Sequence, residues 1–306
     1  MTYRLFGLTV SSGFGLPGLV AIHDRRPPIA TVDLVERSVV EAAFSGPPVM
    51  DIELVLGDGR TVDVVLGRRA DRLLTYGRQA VFHVGPKGET VLCAPADLES
   101  RGWQKVLLDT VLGTAALAHG YEALHAGAVV LESGVVAIAS SSGGGKSTLC
   151  AELVARGAGL FADDLVFLER RRGGIMAHPG PPLMTLPAEW SADGRLGAEV
   201  LDVDARESWI ALPRAVDKPA PLLAVLVLDR YHGAGEPRVE PGRTALDLHL
   251  VALHSVLQPD RRRARFELLA NLAELTPVRH LVAEPAAHPR QLAELVESTA
   301  RSLARA

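Results

Sequence analysis

Short strand-like runs separated by turn residues fill the chain from Met1 to about Pro95. Tyr3 to Val10 has strand composition, and Ser11 to Gly18 is a Gly/Ser/Pro loop. Asp51 to Leu56 and Thr61 to Leu66 flank Gly57-Asp58-Gly59, whose Asp-Gly pair is a hairpin signal. Ala80 to Val84 and Glu89 to Cys93 flank Gly85-Pro86-Lys87-Gly88 and predict a second hairpin. The period then changes. Between Leu98 and Ala118, Val106, Leu107, Val111, Leu112, Ala115 and Leu117 fall on one side of a helix, which Gly120 ends as a C-cap residue. The pattern divides the chain into a β-rich accessory domain, 1–97, and a mixed domain, 98–306.

The second region alternates strands and helices. Leu124 to Leu131 reads as a strand, Ser133-Gly134 as a turn, and Val135, Val136 and Ile138 as a buried strand. Thr148 to Ala155 has helical spacing, with Leu149, Leu153 and Val154 apolar and Arg156-Gly157 closing it. Ala158 to Leu168 is an apolar strand that carries two adjacent carboxylates, Asp163 and Asp164. Leu222 to Asp229 is a strongly apolar strand, Thr244 to Leu257 and Arg261 to Leu275 are helices, Val278 to Val282 is a last strand, and His288 to Leu303 a terminal helix. The basic cluster Arg261-Arg262-Arg263 reads as a solvated face.

Composition narrows the class without naming it. With 306 residues, 48% hydrophobic and 22% charged, the chain has ample material for a core. A net charge of −4 provides no basic field for nucleic acid. No run resembles a signal peptide or an 18-residue apolar span, so no membrane partner is expected. Cys93 and Cys150 lie far apart and suggest no disulfide, which makes a reducing, cytoplasmic setting the default expectation. His23 and His83 are isolated and read as ordinary surface or core histidines.

Chemistry concentrates between the buried strand and the helix that follows it. Ser140-Ser141-Ser142-Gly143-Gly144-Gly145-Lys146-Ser147-Thr148 fits the end of the phosphate-loop pattern, with Gly145 as its second glycine, Lys146 its lysine and Ser147 its hydroxyl. Ser140 stands where the first glycine belongs, which a negative φ would permit. A helix beginning near Lys146 directs its free N–H groups and dipole at this loop, an anion site. Ser142, Gly143, Gly144, Gly145, Lys146, Ser147 and Thr148 are therefore the expected nucleotide-binding residues. Successive side chains in a strand point to opposite faces, so Asp163 and Asp164 serve one site only if the strand bulges or ends there. Beside a phosphate site, one acid can hold Mg²⁺ with Ser147 and the other can take a proton from an attacking hydroxyl.

Leu124-His125-Ala126-Gly127-Ala128-Val129, the loop Ser142 to Ser147, Arg156-Gly157 and Ala162-Asp163-Asp164 together resemble HPr kinase/phosphorylase and its relatives. The separations 163 − 146 = 17 and 146 − 125 = 21 suit that family. Phe6-Gly7-Leu8 followed by Leu16-Pro17 also resembles the related proteins found near peptide-modification genes, including lasso-peptide precursor kinases. The resemblance implies an α/β P-loop kinase core of the HPr-kinase type, preceded by a β-rich N-terminal domain and using ATP and Mg²⁺. It implies Asp163 as catalytic acid/base, Ser147 and Asp164 as Mg²⁺ ligands, Lys146 on the β- and γ-phosphates, and His125 near the acceptor. The acceptor would be a serine in a peptide or protein, with homo-oligomerisation left open. The downstream signature of the bifunctional enzymes is missing from Ile175 to Met184, which sets HPr itself and phosphorolysis aside. Other readings stay open: Asp229 as the Mg²⁺ ligand of a P-loop ATPase, a nucleotide-sensing regulator, a fold-only assembly module, or a kinase of a small hydroxylated metabolite. Arg206 and Arg214 are further cations that could meet the γ-phosphate.

Overall fold

The computed structural model describes residues 1–56, 59–141, 143–192, 194–203, 207–213, 216–242 and 261–305. Its contacts form two units, Met1–Tyr121 and a second from Glu122 onward, of mixed α/β character with the β-rich part first. The first unit holds β1 (Thr2–Leu5), β2 (Leu8–Ser12), β3 (Ala30–Leu34), α1 (Arg37–Ala43), β4 (Pro48–Val55), β5 (Thr61–Gly67), β6 (Arg72–Tyr76), β7 (Ala80–Val84) and β8 (Thr90–Pro95). These strands form one sheet in the order β1-β2-β3-β8-β7-β6-β5-β4.

Both hairpins form as the turn signals predict, with Val55 opposite Thr61 and Val84 opposite Val91. Gly57 and Asp58 of the first turn lie outside the described residues. The expected strand from Tyr3 to Val10 is instead two strands. Phe6 (φ 54°) and Gly7 (φ 83°) reverse the chain, and pairing of Leu5 with Leu8 buries Tyr3, Leu5, Leu8 and Val10 together. The helical run follows as α2 (Arg101–Val106), a π-helical turn (Leu107–Val111) and α3 (Leu112–His119), ended by Gly120 at φ 124°. Contacts tie these helices to the first unit, beyond the expected boundary at 97/98. Gly88 shows how closely: a Cβ there would sit 2.1 Å from the Ala115 carbonyl oxygen.

The second unit contains β9 (Glu122–Leu131), β10 (Gly134–Ala139), α4 (Lys146–Ala155), β11 (Gly159–Ala162), β12 (Leu165–Arg171), β13 (Gly174–His178), β14 (Leu183–Pro187), α5 (Ala188–Ala192), β15 (Glu199–Val203), β16 (Glu207–Ala211), β17 (Ala220–Arg230), β18 (Arg238–Pro241), α6 (Arg262–Leu275), β19 (Val278–Ala283) and α7 (Pro289–Leu303). The expected helix at 244–257 lies outside the described residues. The main sheet runs β10-β9-β12-β13-β17-β19-β18, with β10 also parallel to β17 and β11 paired to β9. β14, β16 and β15 form a small separate sheet.

Strands covered on both faces need near-continuous apolar residues, which β10 has from Val135 to Ala139 and β17 from Leu222 to Leu228. Val136, Ile138, Leu226, Leu228 and Leu281 pack with Leu149 and Leu153 of α4 and Leu292 and Val296 of α7. Ala137, Ala139, Val225 and Val278 pack on the other face with Leu268 and Leu272 of α6. The Arg261–Arg263 cluster is not uniformly solvated: Arg263 is exposed against Glu267, whereas Arg261 approaches the buried Glu122 at 3.3 Å, beside the Arg265–Glu122 pair at 3.0 Å. Among the described residues no helix is long and apolar enough to cross a membrane.

Candidate functional site

Strand register gathers the chemistry at one end of the second unit's sheet. Ala139, the last residue of β10, pairs with Ala126, and His125 next to it pairs with Leu165 at the start of β12. His125, the loop after Ala139 and the Asp163-Asp164 step therefore lie level. Ser140 is buried and is not among the residues with positive φ, as the missing first glycine requires. Gly143 (φ 71°) and Gly145 (φ 95°) adopt left-handed conformations that a side chain would strain. At Gly144, a Cβ would meet Ser140 Oγ at 2.7 Å. The first helical hydrogen bond of α4 is Leu149 N–H to the Gly145 carbonyl at 2.9 Å, so the N–H groups before it point into the loop. Ser142 lies outside the described residues.

Asp164 has φ 54° and ends the strand expected from Ala158 to Leu168. That break lets both acids reach the loop. Ser147 Oγ donates to Asp163 Oδ1 at 2.9 Å, and the Thr185 N–H donates to Asp163 Oδ2 at 3.3 Å. The Asp164 carboxylate, 60% exposed, lies 3.5 Å from Lys146 Nζ. Lys146 is itself buried, and its Nζ sits 3.0 Å from His125 Nε2. Burial first, and then the Lys146 charge, hold the His125 pKa below its ordinary value, with Asp164 opposing. A neutral His125 accepts from the ammonium through Nε2 and carries its own proton on Nδ1.

Nucleotide-bound Mg²⁺ takes few protein ligands, because phosphate and water supply the remainder. The described residues hold no group of three His, Cys, Asp or Glu side chains arranged for a metal, and this mode needs none. An octahedral ion with bonds of about 2.0–2.1 Å holds neighbouring oxygens about 2.9 Å apart. The Ser147 Oγ–Asp163 Oδ1 separation of 2.9 Å fits such an edge.

Strand parity decides what β17 contributes. Leu226 and Leu228 face α4 and α7, whereas Val225 and Val227 face α6. Asp229 continues the second set, and its carboxylate is hydrogen-bonded to His280 Nδ1. Arg230 continues the first set and reaches the loop: a Cβ on Gly145 would lie 3.7 Å from its Cζ and Nη2. Its Nη1 donates to the Pro285 carbonyl at 3.1 Å, its Nε is buried with no partner, and burial lowers its pKa below the ordinary value. In the sequence Arg230 only weakens the reading of Asp229 as a metal ligand, since it stands where many ATPases place a glutamate; the alternation Leu226, Leu228, Arg230 was the signal that could have placed it beside the loop. Arg206 and Arg214 lie outside the described residues. Thr148 lies one residue beyond Ser147 and lines a cleft of about 570 Å³ with Glu152, Trp190 and Arg195.

No protein-family model matches the chain, and no curated protein matches it. Among solved structures the chain is similar to the Hpr(Ser) kinase/phosphatase from Coxiella burnetii, with 16% sequence identity and a TM-score of 0.33, over 59% of this chain and 97% of that one.

Proposed function

We propose that this chain is a phosphotransferase that moves the γ-phosphate of ATP·Mg²⁺ to a serine hydroxyl of a peptide or protein. One arrangement supports the reading above all: at the mouth of α4 a buried lysine meets His125 and Asp164, while the adjacent serine hydroxyl meets Asp163. The loop N–H groups and Lys146 bind phosphate oxygens, and neutral His125 keeps the ammonium aimed into the loop. Bound Mg²⁺ supplies charge neutralisation at the β- and γ-phosphates. The acid pair completes the site, because phosphoryl transfer asks mainly for in-line positioning and electrostatic stabilisation. Serine as the acceptor, with a ribosomally made precursor peptide as one form of it, rests on the sequence resemblance alone.

The two acids admit two allocations. The resemblance gives the proton to Asp163 and the metal to Asp164. The Ser147–Asp163 hydrogen bond favours the reverse: Asp163 shares Mg²⁺ with Ser147, and the exposed Asp164 meets the incoming hydroxyl. The function is tested by incubating the full chain and Lys146→Ala with γ-labelled ATP, Mg²⁺ and serine-containing peptides. Labelled peptide with the wild type, and none with a folded Lys146→Ala, is the expected result. Hydrolysis at the same rate without any peptide would overturn it in favour of an ATPase. Binding of ATP with no turnover would leave a nucleotide sensor.

A further inference from the structure

β4 closes one end of the first unit's sheet, and among the described residues no strand lies beyond it. Long open edges are templates for another chain, so folds commonly shorten or cover them. The opposite edge is treated that way: β1 has four residues, and the Ile22 N–H donates to its Thr2 carbonyl at 2.7 Å. β4 has eight residues, and the phase of its ladder shows which of its backbone groups are open. At the hairpin end the Leu56 N–H donates to the Arg60 carbonyl at 2.7 Å, which makes that pair a hydrogen-bonded one. Pairs alternate along an antiparallel ladder, so Val55–Thr61, Glu53–Asp63 and Asp51–Val65 are non-hydrogen-bonded. The backbone N–H and C=O groups of Asp51, Glu53 and Val55 therefore point outward, away from β5.

Side chains select what pairs there. Met50, Ile52 and Leu54 are half-buried beside the fully buried Val62 and Val64, so an added strand extends that apolar face. On the other face Asp51 and Glu53 are exposed, and Glu53 stands opposite the exposed Asp63. Like charges facing across a ladder are destabilising, and among the described residues no cation pairs with any of the three.

We infer that the outer edge of β4 docks an extended peptide segment with Lys or Arg at alternate positions and apolar residues between them. The cationic residues exchange backbone hydrogen bonds with Asp51, Glu53 and Val55 and share their face. The residues between them cover Met50, Ile52 and Leu54. Main-chain bonds supply affinity in such strand addition, and alternate side chains supply specificity. A second copy of the chain is a poorer occupant. Across a two-fold axis, the registers of greatest overlap set Asp51 against Glu53, or one of them against itself. The site lies wholly within the first unit, so it does not depend on reading the loop after β10 as a phosphate site.

The test titrates the full chain, by calorimetry, with blocked peptides of the length of β4. One alternates lysine with valine and another alternates glutamate with valine. Two more are the lysine peptide N-methylated at its lysine nitrogens or at its valine nitrogens. The lysine peptide should bind and the glutamate peptide should not. Methylation at lysine nitrogens, which face β4, should weaken binding by about tenfold or more, whereas methylation at valine nitrogens should leave it within about threefold. Amide exchange read residue by residue should find Asp51, Glu53 and Val55 open in the free chain and protected by the lysine peptide. The double variant Asp51→Lys, Glu53→Lys should keep its melting temperature and exchange the preference, taking the glutamate peptide instead. Equal binding of the two methylated peptides would mean charge attraction without strand addition and would overturn the assignment. So would failure of every peptide to bind. A concentration-dependent dimer that protects the same amides without peptide would give the edge to a second copy and overturn it as well.

Discussion

Asp163 and Asp164 are neighbours in sequence whose carboxylates reach different groups of the loop. A left-handed backbone at Asp164 sends one carboxylate to Ser147 and the Thr185 amide, and the other to Lys146. Asn tolerates that backbone region as Asp does, so Asp→Asn at either site removes charge without disturbing the break. With Asp163 beside Ser147, Asp163→Asn should raise the Mg²⁺ concentration for half-maximal turnover by about tenfold or more. Asp164→Asn should leave that concentration within about threefold and lower transfer by on the order of 10²–10⁴, as loss of a general base does. Mg²⁺ titrations of both variants at saturating ATP decide the matter, and the opposite pattern restores the allocation drawn from the resemblance.

At the scale of elements, α4 is seated on β9 through one glycine. A Cβ on Gly127 would stand 2.8 Å from Cys150 Sγ, one turn into α4 and fully buried. Gly127→Ala should cost about 1–3 kcal/mol by overpacking, read as a lowered melting temperature. Adding Cys150→Ala should recover part of that loss by opening the space. If Gly127→Ala melts like the wild type, the close approach is not what fixes this glycine. The elements that could be read in the sequence were those bounded by strong punctuation, namely the Asp-Gly hairpin and the strand–glycine–helix step into α4. Those that could not were set by geometry with no residue code. Phe6 and Asp164 take positive φ without being glycine, so each turned one expected strand into two. β6 hides behind a polar start, because Asp71 and Arg72 are buried where apolar residues are the usual signal. Asp71 accepts there from the Ser45 N–H at 2.9 Å and lies 3.6 Å from His83 Nε2. In the candidate site, the lysine, serine and acid pair that the sequence singles out lie together, whereas which acid meets which partner could not be read without the left-handed backbone at Asp164.

For the whole molecule, acid is the predicted weakness. His83 in the first unit, and His125 and His178 in the second, all have pKa values held below the ordinary histidine value, with burial the leading cause. A depressed folded-state pKa means the unfolded chain takes up protons first as pH falls. The stability these neutral histidines share is intact above the unfolded value, near ~6.5, and is lost as pH drops toward and through their folded values. Calorimetric melting between pH 8 and pH 5 should therefore show a plateau that gives way to falling melting temperatures below about pH 6.5 in both units. A flat profile to pH 5 would contradict it.

The parallel ladder between β10 and β17 has a consequence in time as well as in space. Ala139 is matched to Val227, 227 − 139 = 88 residues further on, and β17 is matched in turn to β19, which begins at Val278. During synthesis the phosphate loop emerges long before the strand that flanks it. Non-local parallel pairing is slow to form and leaves sheet edges open until it does. The loop is thus written early and assembled late: Arg230, which lies beside Gly145, arrives with the end of β17, and the strand that flanks β17 arrives some fifty residues later. A nascent chain carries the full glycine-rich motif for much of its elongation while still lacking the strands that flank it in the fold.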